Sequence, residues 1–185
     1  MLPAAATIYF AAFWTWFPFW RRHPVLTYSF MFSVIGGLAA TLIALRDRVL
    51  AYVIDMPAPV VAIGWLLVAV SFIFGTIADR QLGFRIRSFA PFFETGAKIE
   101  LRTSGAYGVV RHPIYASGVW FQLGVLLATG YVAVAIALAA FWLGALWFTR
   151  QEERRLVELL ADPTAYDGYR ERVGRLFPKL RRGSR

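Results

Sequence analysis

Long apolar stretches alternate with short charged breaks along most of the 185-residue chain. A helix needs about 20 mostly apolar residues to cross a hydrocarbon core about 30 Å thick. Five stretches come near that length: residues 3–20, 25–45, 57–78, 113–129 and 131–148. The third of them starts at the prolines at positions 57 and 59. The pattern predicts an all-α polytopic membrane protein with five transmembrane helices.

The last two stretches are separated by Gly130 alone. Two apolar helices joined by so short a turn must lie antiparallel, so we expect a helical hairpin. The tail is predicted to form amphipathic helices. Leucines share one face of residues 150–160, and Asp162 with Pro163 starts a second helix that places Tyr166 and Tyr169 on one face.

Composition supports the membrane assignment, because 58% of the residues are hydrophobic and 17% are charged. A net charge of +9 could indicate nucleic-acid binding, but the long uncharged stretches argue against it. The chain has no cysteine, which excludes disulfides, thiolate nucleophiles and iron–sulfur clusters. With two histidines, a metal site is not expected.

The cations also predict an orientation. With five spans, 18 of the 20 Lys and Arg residues fall on the side that holds residues 21–22, 79–112 and the tail from Arg150. Loops rich in Lys and Arg face the cytoplasm. We therefore expect an integral protein of the bacterial inner membrane, with its N-terminus outside and with residues 79–112 and the C-terminus in the cytoplasm.

Polar residues cluster before the fourth stretch, in the run Thr-Ser-Gly-Ala-Tyr-Gly-Val-Val-Arg-His-Pro-Ile-Tyr of residues 103–115. The glycines predict a turn, and Pro113 opens the next helix, whose free N–H groups suit an anionic group. In the alternative interpretation, Arg111 and His112 are interfacial anchors and Tyr115 belongs to an aromatic belt.

A second cluster, Glu152 and Glu153, follows the fifth stretch within a basic tail. The pair could compensate the dipole at a solvated helix start. It could instead meet a ligand held by the first cluster, since a hairpin brings both clusters to one membrane face. Arg22-His23-Pro24 repeats the tripeptide but lacks the upstream turn, so we interpret it as a basic stop after the first span.

These motifs resemble a known family. The run T-S-G-x-Y-x-x-x-R-H-P-x-Y, then E-E-x-x-L and Y-x-x-Y-x-x-R-V, resembles the isoprenylcysteine carboxyl methyltransferases, and phospholipid N-methyltransferases share the R-H-P and double-Glu pattern. The resemblance covers residues 103–178. It implies a membrane methyltransferase. No internal repeat or linker divides the chain, so we expect one domain over residues 1–185, with the three spans that hydropathy predicts in 1–78 and the cofactor-binding region in 79–185.

The resemblance also implies S-adenosylmethionine as the cofactor and assigns residues to its pocket. The implied cofactor contacts are Glu100, Leu101, Arg102, Tyr107, His112, Pro113, Ile114, Tyr115 and Glu152. Arg111 is expected to brace the pocket, and Arg111, His112 and Glu153 are the candidate catalytic residues. This chain departs from the pattern of the family at two positions. Ile99 stands where the resemblance implies a histidine that contacts the cofactor, and Phe148 stands where it implies an arginine tied to the substrate carboxylate.

Methyl transfer from a sulfonium is an in-line displacement that needs alignment and exclusion of water. The expected acceptor is a lipid-like or prenylated molecule that arrives from the lipid bilayer. A carboxylate acceptor needs no base, whereas an amine must lose a proton, to Glu153, Glu100 or His112. Two alternatives stay open: a nicotinamide-dependent sterol-type reductase, and a non-catalytic membrane protein that has kept the pocket.

Overall fold

A computed structural model describes residues 17–82, 101–160 and 162–179, and every regular element in these ranges is helical. The predicted all-α class is confirmed. The helices are α1 (Phe17–Arg22), α2 (Pro24–Ala44), α3 (Arg46–Val49), α4 (Ala58–Leu82), α5 (Ala106–Val109), α6 (Pro113–Thr129), α7 (Val132–Leu159) and α8 (Pro163–Arg172).

Three helical segments of the described residues are long and apolar enough to cross a membrane: α2, α4 and the part of α7 from Val132 to Arg154. They correspond to the second, third and fifth predicted spans. The fourth predicted span is α6, an apolar helix that is shorter, with 17 residues. The first predicted span lies largely outside the described residues, so the count of five spans stays a prediction.

Helix α7 runs further than the sequence pattern suggested. We expected the span to end near Phe148 and a separate tail helix to follow, but α7 continues without a break to Leu159. Residues 149–159 contain good helix formers and neither glycine nor proline, so nothing stops the helix at the end of its apolar part. Glu152 and Glu153 therefore lie far inside a helix, and they do not compensate a helix start.

Helix α6 is the centre of the packing. It lies against α4 at small residues: a Cβ on Gly64 would come within 2.5 Å of the Ala128 nitrogen, and one on Gly75 within 2.7 Å of the Ser117 hydroxyl. Small residues let helix backbones approach closely in membranes. This packing ties the start of α6 to the end of α4.

The connection from α6 to α7 consists of Gly130 and Tyr131. Gly130 has a φ of 69°, a left-handed conformation that favours glycine, and a Cβ there would overlap the Ile54 carbonyl oxygen. Ile54 donates to the Gly130 carbonyl at 2.9 Å, and Val132 donates to the Tyr52 carbonyl at 3.1 Å. The segment before α4 thus fixes this turn, and α6 and α7 are in contact.

Helix α8 begins as the sequence predicts. The Asp162 carboxylate accepts hydrogen bonds from the Thr164 N–H at 2.9 Å and from its hydroxyl at 2.6 Å. Tyr166 and Tyr169 form the predicted apolar face and are buried with Leu160 and Val173. We call residues 173–179, which follow α8, the C-terminal strap.

Candidate functional site

The turn before α6 is held by its own backbone and by the end of α4. Gly105 has a φ of 62°, and the N–H of Ala106 donates to the Gln81 side-chain oxygen at the end of α4 at 2.9 Å. After the single turn of α5, His112 caps α6 in a non-helical conformation and Pro113 is the first helical residue. The glycine, the glutamine bond and the proline hold Arg111 and His112 at the helix start.

Glu153 is the centre of a buried charge cluster. Its Oε1 accepts from Nε and Nη2 of Arg111 at 3.1 and 3.0 Å, and it lies 3.1 Å from Nε2 of His112. Arg175 donates from Nε to Oε1 at 3.1 Å and from Nη2 to Oε2 at 2.7 Å. One carboxylate thus joins the turn before α6, helix α7 and the strap, although these residues are far apart in sequence.

The imidazole of His112 lies between the two glutamates. Its Nδ1 is 3.5 Å from Oε2 of Glu152, and its Nε2 faces Glu153. Burial by itself lowers the pKa of His112, but hydrogen bonds and charge from Glu152 and Glu153 outweigh it and raise the pKa above its ordinary value of 6.5. This environment favours the charged imidazolium.

The two glutamates have different environments. The Glu153 side chain is 8% exposed, whereas that of Glu152 is 48% exposed. A buried carboxylate among cations holds the cluster together, and its lone pairs are occupied. The Glu152 carboxylate faces His112, lies near Tyr115 and is half exposed, so it is more accessible to a ligand than Glu153.

Arg111 also binds the end of α8. Its Nη1 donates to the carbonyls of Arg170 at 3.2 Å and of Val173 at 2.5 Å. Its backbone N–H donates to the Gly174 carbonyl at 2.8 Å, and Val110 forms a parallel bridge with Gly174. Arg111 thus links the turn before α6 to the end of α8. That it braces a cofactor pocket stays a prediction.

Tyrosines border the cluster on the side of Glu152. Burial, followed by the Glu152 charge, raises the pKa of Tyr107 to about 12. The Tyr169 hydroxyl donates to the Tyr107 carbonyl at 2.5 Å. The Tyr115 ring lies 6.0 Å from the His112 ring and 5.9 Å from the Phe148 ring. At position 148, where the resemblance led us to expect an arginine, this chain therefore places an aromatic ring against Tyr115.

The structure brings together six of the predicted residues: Tyr107, Arg111, His112, Tyr115, Glu152 and Glu153. Pro113 is buried at the start of α6, and Leu101 packs against the buried face of α8. Arg102 and Ile114 are exposed. Glu100 and Ile99 lie outside the described residues. Within the described ranges, no group of His, Asp and Glu residues has the arrangement of a metal site.

Sequence reasoning did not find Arg175. It is one of ten cations in the tail, and no motif distinguishes it from the others. Tyr166 was recognised as an apolar-face residue, but it also lies beside Glu153 and Arg111: burial, then the Glu153 charge, raises its pKa. Arg175 reaches Glu153 because the strap packs against the turn before α6. Such a contact between distant segments leaves no local signal in the sequence.

An apolar groove of about 420 Å³ lies between α6 and α7. Its lining residues are Val119, Trp120, Leu123, Leu126, Ala135, Leu138, Ala139, Trp142 and Phe177. Phe177 belongs to the strap, and its ring lies 6.3 Å from Trp120 and 5.2 Å from Trp142. The strap therefore contacts both the charge cluster and the groove.

A family model for phospholipid methyltransferases matches residues 59–162, more than half of the chain. The match begins in the first turn of α4 and ends just before α8. It includes the turn before α6 and both glutamates, and it excludes Arg175. No curated protein and no solved structure matches the chain.

Proposed function

Because the chain belongs to the phospholipid methyltransferase family, we propose that it is a membrane methyltransferase that moves a methyl group from S-adenosylmethionine to a lipid-like or prenylated acceptor. The observation that supports this most directly is the meeting of Arg111 and His112 with Glu152 and Glu153. These pairs are about 40 residues apart in sequence, and they meet where α6 begins and the apolar part of α7 ends.

The residues around Glu152 fit the cofactor chemically. S-adenosylmethionine carries an ammonium group, ribose hydroxyls, a carboxylate and a sulfonium. The half-exposed Glu152 carboxylate suits the ammonium group or a hydroxyl. The N–H of His112 donates to the strap and Pro113 has no N–H, but His112 does not cap α6 with its side chain. The N–H groups of Ile114 and Tyr115 therefore suit the carboxylate. Tyr107 and Tyr115 offer aromatic faces to the sulfonium charge.

S-adenosylmethionine supplies an activated methyl group, so the protein has to align the donor with the acceptor and exclude water. Glu153 and Arg111 hold the site rigid through buried bonds. Glu153 accepts hydrogen bonds from Arg111 and Arg175. Both glutamates raise the pKa of His112, which disfavours its neutral, proton-accepting form. For an amine acceptor, Glu100 is the remaining candidate base, and its position lies outside the described residues.

The acceptor that we propose carries a hydrocarbon chain. The groove between α6 and α7 is lined by apolar side chains and begins at Phe177, two residues from Arg175. Its volume lies within the range of about 300–1,000 Å³ typical of ligand sites. A chain in this groove would bring its reactive head group towards Tyr115 and Glu152. The head group that we propose is a carboxylate or an amine.

We further propose that the site faces the cytoplasm. Arg150, Arg154 and Arg172 are exposed near the end of α7 and on α8, on the side of the cluster. Cations concentrate on the cytoplasmic side of membrane proteins. The cofactor would then enter from the cytosol and the acceptor from the bilayer.

Calorimetry of the detergent-purified full chain tests the cofactor. We expect binding of S-adenosylmethionine and no binding of NADPH, and the reverse result would contradict the proposal. The acceptor is then sought with methyl-labelled S-adenosylmethionine and three sets of candidates: prenylcysteine analogues, phospholipids and hydrophobic amines. Label in the organic extract identifies the acceptor class, and the Glu152→Gln protein is the matched control, in which labelling should fall.

A further inference from the structure

The backbone of the C-terminal strap is bound to the turn that carries Arg111 and His112. The N–H of His112 donates to the Arg175 carbonyl at 3.1 Å, next to the bond between Arg111 and Gly174. A Cβ on Gly174 would overlap the Phe177 carbonyl oxygen, so the crossing has no room for a larger residue. These bonds place the Arg175 side chain beside Glu153.

Arg175 contacts both carboxylate oxygens of Glu153, which Arg111 and His112 do not. Arg111 and His112 both approach Oε1 of Glu153, whereas Arg175 donates to Oε1 and to Oε2. Arg175 is the cation of this cluster that donates to Oε2, and the Tyr166 side chain also lies beside the carboxylate. A two-oxygen grip by a guanidinium fixes the plane of a carboxylate, and a contact to one oxygen leaves that plane free to turn.

The plane of Glu153 matters because His112 depends on it. Oε1 of Glu153 holds Nε2 of His112 at 3.1 Å, and this sets the direction in which Nδ1 faces Glu152. The contacts therefore form a chain from Arg175 through Glu153 and His112 to Glu152. The first three side chains are wholly or largely buried, and the last is half exposed.

We propose that Arg175 is a positioning residue, which fixes the carboxylate of Glu153 and thereby orients His112 towards Glu152. The role rests on the proposed function in one respect, since it takes Glu152 as the cofactor contact. Arg175 does not touch the ligand in this proposal. It lies outside the range that the family model matches, so this chain's own contacts carry the inference.

Lys179 provides the matched control. It lies on the same strap and donates to the carbonyls of Arg170 at 3.2 Å and Glu171 at 2.8 Å, at the end of α8. Lys179→Met removes a contact of the strap and none of the hydrogen bonds to Glu153, although Lys179 shares the Arg170 carbonyl with Arg111. A general loosening of the strap would affect both variants, whereas positioning through Glu153 affects Arg175→Met alone.

The first measurement is the Kd of S-adenosylmethionine for the full-length protein in detergent. Loss of a charge-assisted pair of hydrogen bonds is expected to raise the Kd about tenfold in Arg175→Met. Arg175→Lys keeps the charge but binds one oxygen, so its Kd should lie between those of the wild type and Arg175→Met. Lys179→Met should stay within about twofold of the wild type. Equal losses in Arg175→Met and Lys179→Met would overturn the proposal.

The second measurement needs no cofactor. The chain has two histidines, so ring NMR of labelled protein gives one signal from His112 and one from His23 as an internal reference. Arg175→Met should move the His112 signal and leave that of His23 in place, and Lys179→Met should move neither. A wild-type protein that binds no S-adenosylmethionine would contradict the proposed function, while this spectrum still reports whether Arg175 acts on His112.

The conservative variant keeps the test decisive if Arg175→Met does not fold. Arg175→Lys should then shift the His112 signal and raise the Kd, because the plane of Glu153 is no longer fixed. A folded Arg175→Lys protein with a wild-type Kd and an unmoved His112 signal would overturn the proposal.

Discussion

The chain contains the tripeptide Arg-His-Pro twice, at residues 22–24 and 111–113. Both copies adopt the same local backbone conformation. Each histidine caps a long apolar helix whose first residue is proline, with φ and ψ of −127° and 67° at His23 and −124° and 69° at His112. The short sequence therefore determines a helix start, and by itself it does not make a site.

The surroundings of the two copies differ. Arg22 and His23 are exposed, and the His23 ring contacts Phe19 at 4.8 Å. Arg111 and His112 are 9% and 8% exposed and lie against Glu153. Helix α7 and the strap meet the second copy and supply its partners. The carboxylates, more than the tripeptide, distinguish the candidate site from the repeat.

The largest expected effect separates the two arginines. Arg111→Gln leaves Glu153 short of a buried partner, and breaking a buried pair costs about 3–5 kcal/mol of unfolding free energy. Arg22→Gln changes an exposed side chain and should stay within about 0.5 kcal/mol. Unfolding by SDS titration of the two variants measures both. Similar losses would show that burial does not distinguish the two copies.

The next effect separates the two histidines. His112→Ala removes the imidazole that lies between Glu153 and Glu152. We expect this change to weaken S-adenosylmethionine binding at least about tenfold, or about 1.4 kcal/mol. His23→Ala should bind like the wild type. Calorimetry measures the affinity of both proteins for S-adenosylmethionine. Equal losses of affinity would mean that residues 22–24 contribute to the site.

A smaller effect concerns the exposed glutamate. Glu152→Gln keeps the shape of the side chain and removes its charge, so the Kd of S-adenosylmethionine should rise about fivefold, or about 1 kcal/mol. Its unfolding free energy should stay within about 0.5 kcal/mol of the wild type because Glu152 is half exposed. A loss of stability without a loss of affinity would assign Glu152 to the fold.

The smallest effect is on the pH dependence of stability. The folded protein raises the pKa of His112, so the stabilisation is complete below the unfolded-state pKa of about 6.5. It is lost as pH rises through the higher folded-state value. The wild type should therefore lose more stability above pH 6.5 than His112→Gln does, as measured by thermal unfolding. His23→Gln should lose as much stability above pH 6.5 as the wild type. If the stability of His23→Gln did not change with pH, the pH dependence could not be assigned to His112.

Much of the fold could be read from the sequence because its signals are local. Apolar stretches predicted α2, α4, α6 and α7, and Asp162 with Pro163 predicted the start of α8. The end of α7 was misjudged, because hydropathy changes near Phe148 whereas helix propensity does not. Hydropathy reports where a membrane ends, and a helix ends only where its backbone is interrupted.

The candidate site was predictable in part for the same reason. The motif around residues 103–115 and the pair Glu152 and Glu153 could be recognised, and the structure brings them together. The different environments of the two adjacent glutamates could not be recognised. Neighbours on a helix point about 100° apart, so burial depends on what packs against each face.

The sequence by itself determined the helical class, the apolar segments and the residues able to carry chemistry. The tertiary structure decided which Arg-His-Pro copy is buried, which glutamate is left open and that Arg175 joins the cluster. Helix formation and hydropathy depend on neighbours along the chain. Charge pairing depends on segments that are distant in sequence, and only the packing of α6, α7 and the strap brings those charges within hydrogen-bond distance.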